Sequence, residues 1–210
     1  MSLTTVPDGQ VATIVTHLEM RERPRPAPMP PTPLRLVPWK TPTPDAYRAL
    51  FRRVGEPWLW FSRLMMDDAA LTAIIHDPAV EVYAVTDPRG VEVGLLELDF
   101  RSLPDCELAF FGLIPTLNGK GLGKWLMAQA KTLAWRKDVM RFWVHSCTLD
   151  SPAALGFYQK AGFVPTKREV EIFADPRLAG LLPPDAAPHV PMLGQSARAC
   201  RWSRASITSI

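Results

Sequence analysis

The chain has 210 residues, a net charge of +3 and 47% hydrophobic residues, the balance of a single globular domain with extensions and enough apolar mass for a core. The charge is too small to argue for a nucleic-acid partner, and no apolar run approaches the ~20 residues of a membrane span. The three cysteines, Cys106, Cys147 and Cys200, and the four histidines fit neither a disulfide framework nor a zinc pattern, and no secretion signal opens the chain, so a cytoplasmic location without a metal is expected.

In chain order, residues 1–22 read as an N-terminal extension carrying a strand over Val11–Glu22, and residues 23–33 as a stiff linker with prolines at 24, 26, 28, 30, 31 and 33. A domain over 34–182 follows, opening on a short strand at Leu34–Val37. Thr43-Pro44 is a helix start, a capping residue and then Pro at the first helical position, and the apolar spacing continues to Gly55. A second helix is expected through Trp58, Leu59, Trp60, Phe61, Leu64 and Met65, and a third behind a cap at Asp67 or Asp68. Trp58 and Trp60 cannot share one helical face, so one of them is expected to line a cleft.

Val80–Thr86 and Val91–Phe100 read as a hairpin about the turn Asp87-Pro88-Arg89-Gly90, and Cys106–Ile114 as the next strand. Asn118-Gly119-Lys120-Gly121-Leu122-Gly123-Lys124 then leads into a helix running to about Lys137. Glycines there allow close backbone approach, and the unpaired N–H groups, the helix dipole and two lysines make an anion site suited to phosphate. It is not a P-loop, since Gly121 follows Lys120 and Ile114 stands where the first Gly should be, nor a dinucleotide fingerprint, since Lys124 or Leu126 falls at the last Gly position. A strand at Arg141–Thr148, a helix opened by Ser151-Pro152 and stopped by Gly162, a strand at Lys167–Phe173 and a short helix at Asp175–Leu182 complete the domain; residues 183–210 read as a flexible tail.

The polar-x-x-Gly-x-Gly run from Asn118 to Gly123 resembles the pyrophosphate loop of the GNAT N-acetyltransferases, with Asn118 where that family usually has Gln or Arg. The run Asp150-Ser151-Pro152-Ala153-Ala154-Leu155-Gly156-Phe157-Tyr158, followed by Gly162-Phe163, resembles the family's second signature, with Asp150 in place of the usual Asn. The resemblance implies a mixed α/β fold, a mostly antiparallel central sheet with splayed strands and flanking helices. It further implies acetyl-CoA as co-substrate, no metal, and direct transfer of the acetyl group to an amine, either a small molecule or a protein lysine. The cofactor would be held by Asn118, Gly119, Lys120, Gly121, Leu122, Gly123 and Lys124, by the strand backbone at Phe111 and Leu113, and by Asp150. Tyr158 would be the acid toward the leaving sulfur.

An amine is mostly protonated near neutrality, so a base is needed. Glu107, eleven residues before Asn118 in an otherwise apolar strand, is the candidate, and the resemblance places a catalytic Glu of one family branch at a similar offset. His145 is an alternative base. His145 and Cys147 share a strand face and are expected as core or cleft lining rather than a nucleophilic dyad. Glu97 and Asp99 share a face of the preceding strand; they are further proton-relay candidates, though a solvated face is the simpler expectation. Two rivals stand beside the transferase: a non-catalytic acyl-CoA-binding module, which would keep the loop without the base, and a polyamine- or protein-lysine-directed enzyme with an acidic cleft. The acceptor is expected against the aromatic run Trp58–Phe61, with a homodimer possible.

Overall fold

The computed structural model describes residues 3–25 and 27–194. Seven strands form one sheet: β1 (Gln10–Met20), β2 (Arg35–Pro38), β3 (Val80–Thr86), β4 (Glu92–Asp99), β5 (Asp105–Leu113), β6 (Arg141–Cys147) and β7 (Val164–Ala174), in the order β2-β3-β4-β5-β6-β1-β7. The helices are α1 (Pro44–Gly55), α2 (Asp68–Ile75), α3 (Leu122–Ala134) and α4 (Ala154–Lys160).

The helix starts follow from their capping residues. The Thr43 hydroxyl accepts the Ala46 N–H at 3.3 Å with Pro44 at the first helical position, and the Asp67 carboxylate accepts the Ala70 N–H at 2.7 Å. In the turn between β3 and β4, Asp87 accepts the N–H groups of Arg89 and Val91. Leu96, Leu98 and Leu108 face the core formed with Leu126 and Ala130 of α3, and Leu95, Val82 and Ala84 face a second core with Tyr47, Phe51 and Leu71. The sheet is thus covered on both faces at its centre, which explains its long apolar runs.

All pairings are antiparallel except β5 with β6, which is parallel and reaches only from Asp105↔Arg141 to Glu107↔Trp143. Beyond Glu107 the two strands diverge, so β5 from Leu108 onward is laddered to β4 alone. A register shift between Glu97 and Leu98 opposite Leu108 and Phe110 marks a bulge in this pair, and bulges re-aim side chains beside active sites. β1 is inserted between β6 and β7, pairing with Cys147 to Phe142 on one side and with β7 along most of its length on the other.

Three expectations are corrected. The stretch Trp58–Met65 is not a helix but two 3₁₀ turns, Glu56–Trp58 and Ser62–Leu64, separated by Leu59 at φ 54°. Trp60 forces the break by folding back onto Gly55, where a Cβ would stand 2.4 Å from the Trp60 Cβ. Asp175–Leu182 forms turns rather than a helix, because Asp175 spends its carboxylate on the backbone N–H and guanidinium of Arg177. Burial pushes the Asp175 carboxyl up, but those bonds outweigh it and hold it below the usual range. Finally, residues 183–194 are held in part: Arg177 donates to the carbonyls of Ala186 and Val190, and Ala186 and Ala187 are buried against the α1 core. The remainder of the expected tail, with Cys200, lies outside the described residues.

Candidate active site at the splayed strands

The divergence of β5 and β6 opens a cleft of about 700 Å³, within the size range of small-molecule sites. One end is the glycine turn ahead of α3. Gly119 and Gly121 have φ of 74° and 76°, left-handed values that favour glycine, and Gly121 caps α3 with no side chain satisfying the helix N–H groups. Gly123 lies against the Phe157 ring, where a Cβ would stand 3.6 Å away. Asn118, Gly119, Gly121, Leu122, Gly123 and Lys124 all line the cleft; Lys120 is exposed and does not.

The middle of the cleft is the β5 edge with Phe111 and Leu113, walled by Phe157 and Tyr158 of α4. Phe111 stacks on Phe157 at 5.7 Å and meets Tyr158 edge-on at 6.2 Å. Tyr158 is 8% exposed, and its hydroxyl has no hydrogen-bond partner among the described residues. Burial, and then the Asp150 charge, push its phenol well above the usual value, so it stays protonated.

The far end holds the charged groups. Glu107 Oε1 lies 3.4 Å from His145 Nδ1, joining the two strands just where their ladder ends. The hydrogen bond that His145 donates to Glu107 raises the imidazole above its usual value against the opposing effect of burial. Cys147, on the same face, has its thiol pushed up by burial, which disfavours the thiolate a nucleophile needs. Asp150 accepts from Ser146 Oγ and the Cys147 N–H on one oxygen and faces Trp60 Nε1 at 3.4 Å with the other. Its carboxylate therefore orders the turn before α4 and fixes Trp60 in the cleft wall.

The solvated face expected for Glu97 and Asp99 is overturned. Glu97 is fully buried between Arg63 and Tyr47, and Asp99 is bound by Arg101. Sequence reasoning also missed Glu171 and Phe173 of β7 and Arg63, all of which line the cleft. An arginine embedded in the aromatic run Trp58–Leu64 was the one local signal for Arg63. Among the described residues, no cluster of His, Cys, Asp and Glu could hold a metal, and no helix is long and apolar enough to cross a membrane.

A splayed, mostly antiparallel sheet with a glycine-rich helix start at the splay is the acyl-CoA N-acyltransferase architecture. A family model described as the acetyltransferase (GNAT) family matches residues 38–163, and the chain belongs to that family, whose members transfer acyl groups from acyl-CoA. Among solved structures, a GCN5-related N-acetyltransferase from Sphaerobacter thermophilus is 16% identical with a TM-score of 0.59, covering 77% of this chain and 51% of its own length. A putative GNAT acetyltransferase from Novosphingobium aromaticivorans is 16% identical with a TM-score of 0.53, covering 80% of this chain and 68% of that one. A chimera of a Vibrio cholerae spermidine N-acetyltransferase is 20% identical with a TM-score of 0.50, covering 65% of this chain and 83% of that one. The chain thus spans about half the length of the Sphaerobacter protein, and at these identities the likeness is one of fold. No curated protein matches the chain.

Proposed function

We propose that the protein transfers an acetyl group from acetyl-CoA to a primary amine, by direct attack in a ternary complex. The observation that carries this reading is the continuity of the cleft, from the glycine turn along the unpaired β5 edge to the Glu107–His145 pair. Main-chain N–H groups from Gly119 to Lys124 hold the pyrophosphate, with the helix dipole and Lys124 adding positive charge. The pantetheine arm lies beside Phe111 and Leu113 as an extra strand on the open edge, where backbone groups lack ladder partners. This brings the thioester between Tyr158 and Glu107.

The ammonium form of the acceptor loses a proton to the Glu107–His145 pair, and the freed nitrogen attacks the thioester carbonyl carbon. The C–N bond forms, the C–S bond breaks and the sulfur leaves as thiolate, while the attacking nitrogen gives up its second proton, which reaches the thiolate by way of solvent and makes it the thiol. Tyr158, held protonated by its burial, donates a hydrogen bond to the sulfur as charge develops there. Its raised pKa makes it a stabiliser of the leaving group rather than a source of a full proton. In sum an ammonium and a thioester give an amide, a thiol and one proton, the last passing to solvent by way of half-exposed His145.

Single-turnover release of CoA thiol tests the assignment with a panel of primary amines. Glu107→Gln and Tyr158→Phe should each slow release by at least about tenfold, toward the ~10²–10⁴ typical of acid–base groups, with acetyl-CoA affinity retained. Release unchanged in both variants would overturn the catalytic roles of Glu107 and Tyr158, and no release by wild type with any amine would favour the non-catalytic acyl-CoA-binding module.

A further inference from the structure

Between α1 and the far end of the cleft sits an ionic group that acyl transfer leaves unused. Glu97, fully buried, accepts from Arg63 Nη2 on one oxygen and from the Tyr47 hydroxyl on the other, each at 2.5 Å. Both carboxylate oxygens are thereby engaged and the Arg63 charge is balanced. The guanidinium itself is not spent. The Arg63 side chain is 10% exposed, its Nε is buried with no hydrogen-bond partner, and Nη2 is its only nitrogen bonded to a described residue. It lies 5.1 Å from the Phe110 ring centre and lines the cleft. A guanidinium offers five N–H donors in a fixed fork, and buried donors left unmatched cost free energy. Where Arg63 lines the cleft, its terminal donors beyond the one given to Glu97 remain for an oxygen brought in by a bound molecule.

Register and charge define the oxygen. Phe110 is paired with Glu97 and Glu107 with Asp99, so Arg63, bonded to Glu97, and the candidate base Glu107 belong to the same stretch of the β4–β5 ladder and line the same cleft. Glu97 already balances Arg63, Arg101 is engaged by Asp99, and Glu107 and Glu171 line the same cleft. An acceptor carboxylate would meet that negative charge, whereas a neutral carbonyl oxygen would not. Trp60, Phe61 and Phe173 supply apolar rings beside it.

On the transferase reading above, we infer that the acceptor is a compact amine carrying a neutral carbonyl oxygen near its nitrogen, as in an amino-acid amide or a peptide-like amine. Arg63 is the specificity-determining residue that holds this oxygen.

Phenylalaninamide, phenylalanine and phenethylamine share a ring and an amine and differ in the oxygen group. Calorimetric titration of each into the CoA-saturated protein, wild type and Arg63→Lys, tests the assignment; lysine keeps the charge opposite Glu97 but loses the fork. The amide should bind wild type at least about tenfold more tightly than phenethylamine. Arg63→Lys should erase that preference. Equal affinities in wild type, a preference for phenylalanine, or an amide preference that survives Arg63→Lys would each overturn the inference. Should the variant fail to fold, the wild-type ranking decides alone. Binding is read without turnover, so an amide preference in a protein that releases no thiol counts against the transferase reading only. Turnover of all three with one KM counts against the acceptor assignment only.

Discussion

Glu107 faces His145 across the point where β5 and β6 part, and the sign of that coupling can be measured. Glu107 raises the His145 pKa above its usual ~6.5, so the imidazolium persists to higher pH than in an unpaired histidine. Its stabilising contribution is present below the unfolded value and fades as pH rises through the raised folded value. The proton-accepting form of the pair fills over the same window. The acidic limb of kcat/KM should therefore fall above pH ~6.5 in wild type and move downward in Glu107→Gln, which removes the main cause of the shift. A limb that stays in place in that variant would detach His145 from the reaction. At this scale the place of Glu107 in the cleft was legible, because a carboxylate in an apolar strand is conspicuous in any sequence. The Tyr47–Glu97–Arg63 group was not, since its members lie on three elements 50 and 34 residues apart and follow no local period.

Capping chemistry made most elements legible. Thr43-Pro44, Asp67 and the glycine turn before α3 are local signals, and the elements they open stand where those signals put them. The aromatic run after α1 reads as helix on spacing alone, but there tertiary packing overrides propensity. Trp60 is wedged between α1 and β5, and a Cβ on Gly112 would stand 2.6 Å from Val54 Cγ1 and 3.3 Å from Trp60 Cη2. Gly112 is thus part of the slot that holds Trp60 against Asp150 in the cleft wall. Gly112→Ala should destabilise the fold by about 1–3 kcal/mol through overpacking, read as a lower denaturant midpoint. A midpoint that does not fall would show that the wedge is looser than these contacts imply.

The whole molecule owes its cleft to a topology no local pattern reveals. Alternation marks β1 as a strand, but its place between β6 and β7 depends on pairing across more than 120 residues. That insertion puts β7 beyond β1, and Glu171 and Phe173 reach the cleft from there. The short parallel ladder of β5 and β6 likewise leaves no trace in either strand's composition; the two signature runs pointed to it only through family resemblance. The central claim is that main-chain donors around Gly121 grip a diphosphate and so lay a thioester along the β5 edge. Calorimetric titration compares acetyl-CoA with S-acetylpantetheine, which lacks the diphosphate, in wild type and in Gly121→Val, where a β-branched residue would have to adopt φ of 76°. Acetyl-CoA should bind wild type far more tightly than the fragment and lose at least about tenfold in Gly121→Val, with fragment affinity unchanged. Equal binding of the two ligands by wild type, or acetyl-CoA affinity indifferent to the substitution, would contradict the account.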